Sequence, residues 1–152
     1  MKLISACLLG IKCAWSGDER YQDERALGLA RRESLVPVCP EQLGGLATPR
    51  PPQEIQGGGG EEVLDGKCRV LNKEGVDVSG EFIRGAEETL KIAQQLNIRE
   101  FIGQARSPSC GCGQIYDGSF LEKLVSGDGV TTALLKRNGI KVINIEDLTT
   151  QG

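Results

Sequence analysis

Four short runs of mostly apolar residues are separated by longer stretches of mixed character. The runs are Lys2–Leu8, Leu35–Val38, Ile98–Ile102 and Ile140–Ile143, and each is soon followed by glycine, proline or a polar residue. A continuous apolar run of this length, bounded by turn residues, is typical of a strand that is buried on both faces of a parallel sheet. We therefore predict four strands.

The mixed stretches between the runs carry the periodicity of amphipathic helices. We predict helices over Asp23–Glu33, from Asp77 or Ser79 to about Leu96, and over Val130–Arg137, the last closed by Asn138–Gly139. Strands that alternate with helices predict an α/β fold with a mostly parallel open sheet and flanking helices. At 152 residues without a linker, the chain is expected to form a single domain, 1–152.

Two segments depart from this alternation. Pro40–Gly60 has no periodicity, and we predict that its extended Pro-rich half and its mobile Gly-rich half act as a flap over the carboxyl edge of the sheet. Asp65–Gly66, between Val63–Leu64 and Cys68–Leu71, predicts a small hairpin. Ile115–Phe120 is predicted to be a short strand or turn.

The charge of the chain is weakly acidic. Eighteen basic and 21 acidic side chains give a net charge of −3. A surface that binds nucleic acid would be basic, so we expect no nucleic-acid partner. No apolar run approaches the roughly 18 residues of a membrane span, and the first residues lack the pattern of a signal peptide. We expect a cytoplasmic protein with no membrane partner, and leave monomer and homodimer open.

The chain contains six cysteines and no histidine. Without histidine there is no Ser-His or Cys-His nucleophile pair, and the commonest ligand of zinc, copper and non-haem iron is missing. In a cytoplasmic chain, cysteines are more often metal-binding or catalytic than disulfide-bonded. The chemistry of this chain therefore depends on thiolate, carboxylate, hydroxyl, lysine and arginine groups.

Three of the cysteines, Cys7, Cys39 and Cys110, come at or just beyond the ends of predicted strands. In an open α/β sheet those carboxyl ends share one edge, where ligands bind. Cys110 lies in Arg106–Gly113, a loop of serine, proline, cysteine and glycine, and loops set on a rigid sheet commonly carry function. We expect the three thiols to converge.

Three converging thiolates fit an iron–sulfur cluster better than a zinc ion. Structural zinc takes four ligands, usually from close cysteine pairs, whereas these three are far apart in the sequence. A [4Fe–4S] cluster binds thiolates without histidine, and three protein ligands leave one iron open as a Lewis acid. Cys13 and Cys112 stay open as alternative ligands, Cys68 is more simply a buried residue, and ordinary burial is the alternative for all six cysteines.

Polar side chains that follow these cysteines are candidates for catalysis. Glu41, two residues after Cys39, is a candidate general base or acid, with a solvated loop carboxylate as the alternative. Ser107 and Ser109 flank Pro108 and are candidate hydrogen-bond donors to a substrate or a cluster sulfur. The alternative for both is that they cap the turn.

Arginine and aromatic side chains are candidates for holding a substrate. Arg50 and Arg106 offer forked donors to an anion or a carbonyl, and a surface ion pair is the alternative for each. Trp15 is a candidate stacking surface for a flat ring, although core packing is the commoner fate of an aromatic side chain.

Five motifs occur together in an order that resembles one known family. They are Ser5–Gly10 (SACLLG), Pro37–Gly45 (PVCPEQLGG), Thr48–Pro52 (TPRPP), Arg106–Gly111 (RSPSCG) and Gly127–Thr131 (GDGVT). With them the chain resembles, over nearly its whole length, the family labelled domain of unknown function 523, which includes the thiouracil desulfidases.

The resemblance implies an enzyme that removes sulfur, as hydrosulfide, from a small thiolated nucleobase of the 2-thiouracil type and replaces it with oxygen from water. It implies a [4Fe–4S] cluster on Cys7, Cys39 and Cys110, with the substrate sulfur at the open iron and with Glu41 and Ser107 as the catalytic pair. No net redox change is needed. Beside this desulfidase, two alternatives stay open: another sulfur-transfer enzyme with the same cluster, and a non-enzymatic module that binds zinc or iron.

The chain departs from the family pattern after the first cysteine motif. Members commonly carry Arg-Tyr-Asp-Gly there, whereas this chain has Ala14–Gly17, with the sequence AWSG. Asp18 is the candidate replacement for the missing acidic residue. Because of this departure, the loop is less expected to take part in acid–base catalysis.

Overall fold

Eight strands and five helices make up the part of the chain, residues 1–149, that the computed structural model describes. The strands are β1 (Lys2–Ser5), β2 (Leu35–Val38), β3 (Gln53–Gln56), β4 (Arg69–Asn72), β5 (Glu100–Gly103), β6 (Gln114–Tyr116), β7 (Leu124–Ser126) and β8 (Lys141–Asn144). The helices are α1 (Glu24–Ala30), α2 (Pro40–Leu43), α3 (Gly60–Leu64), α4 (Ser79–Gln95) and α5 (Val130–Arg137). Short 3₁₀ turns follow β1 (Ala6–Leu9) and β8 (Ile145–Asp147).

The central sheet has the order β2-β1-β5-β8, and all of its pairings are parallel. Successive side chains on a strand point to opposite faces, so Leu3 packs with Phe101, α4 and α5, whereas Ile4 packs with Ile102 and α1. Burial on both faces explains the continuous apolar runs. The predicted α/β fold with a parallel sheet is confirmed, and β1 is shorter than predicted because the 3₁₀ turn begins at Ala6.

The segment Pro40–Gly60 is not the structureless flap that its composition predicts. It contains α2 and β3, and β3 pairs antiparallel with β4. A small hairpin-like sheet therefore exists, but its predicted first strand is wrong, because Val63 and Leu64 belong to α3. Val63 is buried against Val70 and Phe82, so tertiary packing decided its conformation. A second small sheet pairs β6 with β7, which confirms a short strand in the predicted Ile115–Phe120 region.

The Gly-rich end of that segment lies against the loop before α5 and does not cover the carboxyl edge of the main sheet. The Gly60 N–H donates a hydrogen bond of 2.7 Å to the Asp128 carbonyl, and a Cβ on Gly60 would lie only 2.3 Å from the Gly129 carbonyl oxygen. These glycines line a depression of their own together with Asp117 and Val125–Asp128. Among the described helices, none combines the length and the apolar character that crossing a membrane requires.

Candidate active site

Cys7, Cys39 and Cys110 line one cavity, of about 820 Å³, at the carboxyl edge of the main sheet. Cys7 lies in the 3₁₀ turn after β1, Cys39 directly follows β2, and Cys110 lies in the loop after β5. These three strands are neighbours in the sheet. The fold therefore brings the three thiols into one cavity of a size usual for small-molecule sites; that they bind a cluster stays a prediction at this point.

The three thiols also influence one another's ionisation. Burial raises the pKa of Cys110 to about 12, and the nearby Glu41 and Cys39 add to the rise. Burial likewise raises the pKa of Cys7, with contributions from Cys110, Cys39 and Glu41. Buried thiolates this close together repel one another, so a positive centre among them would favour the charged forms.

A fourth thiol, Cys13, lies beside Cys39 in the same cavity. The Cys39 sulfur is 3.6 Å from the Cys13 carbonyl oxygen. A hydrogen bond between the two thiol groups lowers the pKa of Cys39 and raises that of Cys13. Cys13 therefore lies next to the proposed ligand Cys39. The sequence alone did not decide whether Cys13 is near the site.

The remaining cysteines lie elsewhere. The Cys112 thiol donates a hydrogen bond of 3.8 Å to the Val142 carbonyl, and Cys68 packs beneath Gly58 beside the apolar cluster of Val63 and Val70. Neither residue belongs to the lining of the thiol cavity.

The donor set of the cavity is of the kind that iron–sulfur clusters take. Within residues 1–149, no group of three His, Cys, Asp or Glu side chains is spaced to hold a single metal ion. In a cubane each thiolate binds a different iron, so its ligands stand further apart than those of one ion. Three thiols in one cavity, in a chain without histidine, provide the thiolate ligands that such a cluster takes.

Backbone and hydroxyl groups hold the loop that carries Cys110. The Ser107 Oγ accepts hydrogen bonds from the N–H groups of Ser109 (3.1 Å) and Cys110 (3.0 Å). The Thr132 hydroxyl donates to the Cys110 carbonyl at 2.9 Å, and the Gly129 N–H donates to the Gly111 carbonyl at 2.8 Å. The start of α5 therefore fixes this loop.

Gly129→Ala is expected to lower the free energy of unfolding by about 1–3 kcal/mol, as overpacking in a dense site usually does. A Cβ at this position would lie 2.4 Å from the Ser109 carbonyl group and 2.9 Å from the Cys110 nitrogen. Urea denaturation followed by circular dichroism measures the change. Gly80→Ala in α4 is the matched control, because nothing lies within 4 Å of its Cβ position; equal stability of the two variants would contradict the close contact.

Glu41 lies in the first turn of α2 and points into the cavity. Only 15 % of its side chain is exposed, and its carboxylate is 3.4 Å from Arg50 Nη2. Burial raises the pKa of Glu41, and the charge of Arg50 opposes the rise. α2 is held directly against α4, because a Cβ on Gly85 would lie 1.9 Å from the Pro40 carbonyl oxygen.

Arg50 is buried and serves mainly as a support for the cavity wall. Its Nη atoms donate to the carbonyls of Ala47 (3.1 Å) and Cys13 (3.0 Å) and to the Thr48 hydroxyl (2.8 Å). Its Nε is buried and has no hydrogen-bond partner among the described residues. A buried donor without a partner costs free energy, and the other hydrogen bonds of Arg50 hold the side chain in place in spite of it.

Trp15 lines the cavity, as a stacking surface would require. Its indole N–H donates to the Tyr21 hydroxyl at 3.1 Å, and the Arg20 guanidinium lies 4.7 Å from the ring centroid. One face of the ring is thus occupied by a cation. Asp18, the candidate acidic replacement in this loop, is paired with Arg20 on the exposed surface and is not part of the lining.

The remaining two candidates are held by other partners. Arg106 lines the cavity but forms an ion pair of 2.9 Å with Glu146, which is the surface pairing considered as its alternative. Ser109 is buried and is not part of the lining. Its hydroxyl is hydrogen-bonded to Thr131 at 3.1 Å and accepts a hydrogen bond of 3.9 Å from the Cys110 thiol. Of the two serines around Pro108, only Ser107 faces the cavity.

Sequence reasoning missed Glu54, Phe120 and Leu121, which also line the cavity. Glu54 lies on β3, a strand of four residues. It is too short and too polar to show the apolar pattern that predicts a strand. Phe120 and Leu121 lie between β6 and β7, and their only signal was the turn sequence Asp117–Ser119 before them.

The fold and cavity define an α/β protein with a thiol-lined site for a small molecule. The chain belongs to the 2-thiouracil desulfurase family, whose model matches residues 3–147. It is 43 % identical over 148 residues, 97 % of each chain, to an uncharacterised protein of Bacillus subtilis (strain 168), YbbK. It is 41 % identical to a solved structure, that of the [4Fe-4S]-dependent thiouracil desulfidase TudS, with a TM-score of 0.82 over 97 % of this chain and 91 % of that one. The family expected from the five motifs is therefore confirmed.

Proposed function

We propose that this protein removes sulfur from a thiolated pyrimidine of the 2-thiouracil type and that it does so with a [4Fe–4S] cluster. The observation that carries the proposal is the convergence of three thiols from neighbouring strands beside a buried carboxylate, Glu41. Membership of the 2-thiouracil desulfurase family and the likeness to TudS, whose description names both the cluster and the reaction, support it.

Cys7, Cys39 and Cys110 are the residues that would hold the cluster. Each comes from a different strand end, and all three line one cavity, which supports this assignment. When bound by three thiolates, the cluster supplies an iron with an open position, a Lewis acid that prefers sulfur to oxygen. Cys13 stays outside the proposed ligand set, hydrogen-bonded to Cys39.

Glu41 is the proposed general base. In the overall reaction water adds its oxygen to the ring carbon, the carbon–sulfur bond breaks, and the sulfur leaves as hydrosulfide. Glu41 takes one of the two protons of the attacking water, for which its buried position and raised pKa are suited, and the other proton leaves with the sulfur in hydrosulfide. The ring carbon keeps its oxidation state, so the proposed reaction consumes no electrons.

Ser107, Arg50 and Trp15 are proposed to orient the ring. The Ser107 Oγ accepts two backbone hydrogen bonds through its lone pairs and keeps its own hydrogen to donate. The guanidinium of Arg50, which lines the same cavity, is proposed as a second donor, to a ring carbonyl. Trp15, which lines the same cavity, is proposed to stack on the ring.

Anaerobic reconstitution with iron and sulfide, followed by a thiouracil assay, tests the proposal. We expect about four irons per chain, broad visible absorption, and release of hydrosulfide and uracil from 2-thiouracil in equal amounts. A coloured protein that leaves 2-thiouracil intact would instead indicate a different sulfur-transfer reaction. Preferential uptake of zinc without visible colour would indicate the metal-binding module.

A further inference from the structure

We propose that the loop Ser119–Glu122, held by the carboxylate of Glu54, is the wall of the cavity that selects the substituents of the substrate ring. In this proposal Leu121 is a specificity-determining residue, and Glu54 is a positioning residue that acts through the loop. The inference rests on the proposed function for the identity of the substrate, a thiolated pyrimidine with or without a short alkyl group.

Glu54 anchors the loop through hydrogen bonds to its backbone. It lies on β3, is 8 % exposed, and its Oε1 accepts hydrogen bonds from the N–H groups of Gly118 (2.9 Å) and Phe120 (3.2 Å). Gln56, two residues along the strand, donates from its Nε2 to the Gly118 carbonyl at 3.0 Å. Because a carboxylate is a stronger acceptor than a neutral group, this strand determines where the loop lies.

The backbone of the loop is held in an unusual shape. Phe120 and Glu122 have φ angles of 59° and 60°, the left-handed region that non-glycine residues rarely adopt. Residues persist in this conformation only where their surroundings impose it, and such residues cluster at ligand sites. Hydrogen bonds within and next to the loop contribute, from the Leu121 N–H to the Ser119 Oγ and from the Asp117 N–H to the Lys123 carbonyl. Glu54 supplies the constraint from outside the loop.

The loop presents apolar side chains to a cavity that is otherwise rich in charged groups. Phe120 and Leu121 line the cavity, and Leu121 is 66 % exposed. Neither side chain carries a group that could take part in proton or sulfur transfer. Contacts from them would be equally strong in the bound substrate and in the transition state, so their loss should change KM and leave kcat nearly constant.

Leu121→Ala in the reconstituted holoenzyme tests the selecting role, with 2-thiouracil and 6-propyl-2-thiouracil as probes. We expect KM for 2-thiouracil to rise about fivefold with kcat within about twofold of wild type, and the ratio of kcat/KM values to shift about tenfold towards the propyl compound. Leu124→Ala is the matched control, because Leu124 is exposed on β7 and is not in the lining. An unchanged KM and an unchanged ratio in Leu121→Ala would overturn the selecting role.

Trypsin cleavage after the exposed Lys123, mapped by mass spectrometry on the same holoenzymes, tests the anchor. Glu54→Ala should raise the rate of this cleavage about tenfold and raise KM as Leu121→Ala does. Glu54→Gln, which keeps an acceptor oxygen but loses the charge, should give cleavage rates and KM values between those of wild type and Glu54→Ala. Cleavage and KM that stay at wild-type values in Glu54→Ala would overturn the anchoring. If that variant does not fold, Leu121→Ala, which changes an exposed side chain, still decides the selecting role.

The two readouts separate this inference from the proposed function. If the wild-type holoenzyme releases no sulfide from either probe, the proposed function fails together with the selecting role of Leu121, and cleavage after Lys123 still decides the anchoring. If the wild type desulfurates while Leu121→Ala matches it in KM and in probe preference, only the inference fails.

Discussion

Cys110→Ala is expected to lose iron binding and desulfuration together. Its thiol is one of three that reach the cavity from neighbouring strands, and Cys112, the thiol nearest to it in the sequence, lies outside the cavity. After anaerobic reconstitution we expect at least about a tenfold fall in iron per chain, the size of loss that even outer-shell changes at metal sites can cause. Iron and sulfide assays with the visible spectrum measure the loss.

Cys112→Ala is the matched control for this experiment. It removes a thiol two residues away in the same loop, but that thiol is bonded to the Val142 carbonyl and lies outside the cavity. Its iron content and activity should equal those of wild type. A fully loaded Cys110→Ala would show that the ligand set is wrong and would make Cys13 the first candidate for the third ligand.

Glu41→Gln is expected to keep the cluster and lose turnover. Glutamine has nearly the same shape and still accepts from Arg50, but it cannot take a proton from water. General acid–base catalysis contributes about 10²–10⁴-fold, so kcat should fall within that range while iron content and the visible spectrum stay unchanged. Glu122→Gln, which changes another carboxylate of the same cavity, should retain most of the kcat. Normal sulfide release by Glu41→Gln would remove Glu41 from the mechanism.

The pH profile gives a second measurement of the same role. A base must be charged to act, so kcat/KM should fall as the pH drops through the pKa of Glu41. Because burial raises that pKa above the usual 4.5, the acid limb should lie above pH 4.5. Arg50 opposes the rise, so Arg50→Gln should move the limb to higher pH. A limb that moves to lower pH in this variant would contradict the ion pair.

The strands of the main sheet could be predicted from the sequence, because they are buried on both faces and therefore appear as apolar runs. Leu3 and Ile4, or Phe101 and Ile102, are neighbours on one strand that face opposite layers, and both are fully buried. The site followed from the same signal, because parallel neighbours place their carboxyl ends at one edge.

The β3–β4 pair could not be predicted for the opposite reason. β3 reads Gln53–Gln56, four residues of which only Ile55 is apolar, and its strand conformation depends on pairing with β4 and on the bonds that Glu54 makes to a distant loop. Sequence position also could not say which way adjacent side chains face. Ser107 and Ser109 look equivalent beside Pro108, yet one lines the cavity and the other, bonded to Thr131, does not.

The origin of the three thiols in separate strands would link the proposed cluster to the stability of the fold. An unfolded chain cannot gather Cys7, Cys39 and Cys110, so a cluster that binds them binds the folded form alone and shifts the folding equilibrium by mass action. We expect the iron-loaded form to resist heat and cellular proteases better than the iron-free form. Iron starvation or oxidative loss of the cluster would then lower the amount of this protein as well as its activity, without any dedicated regulator.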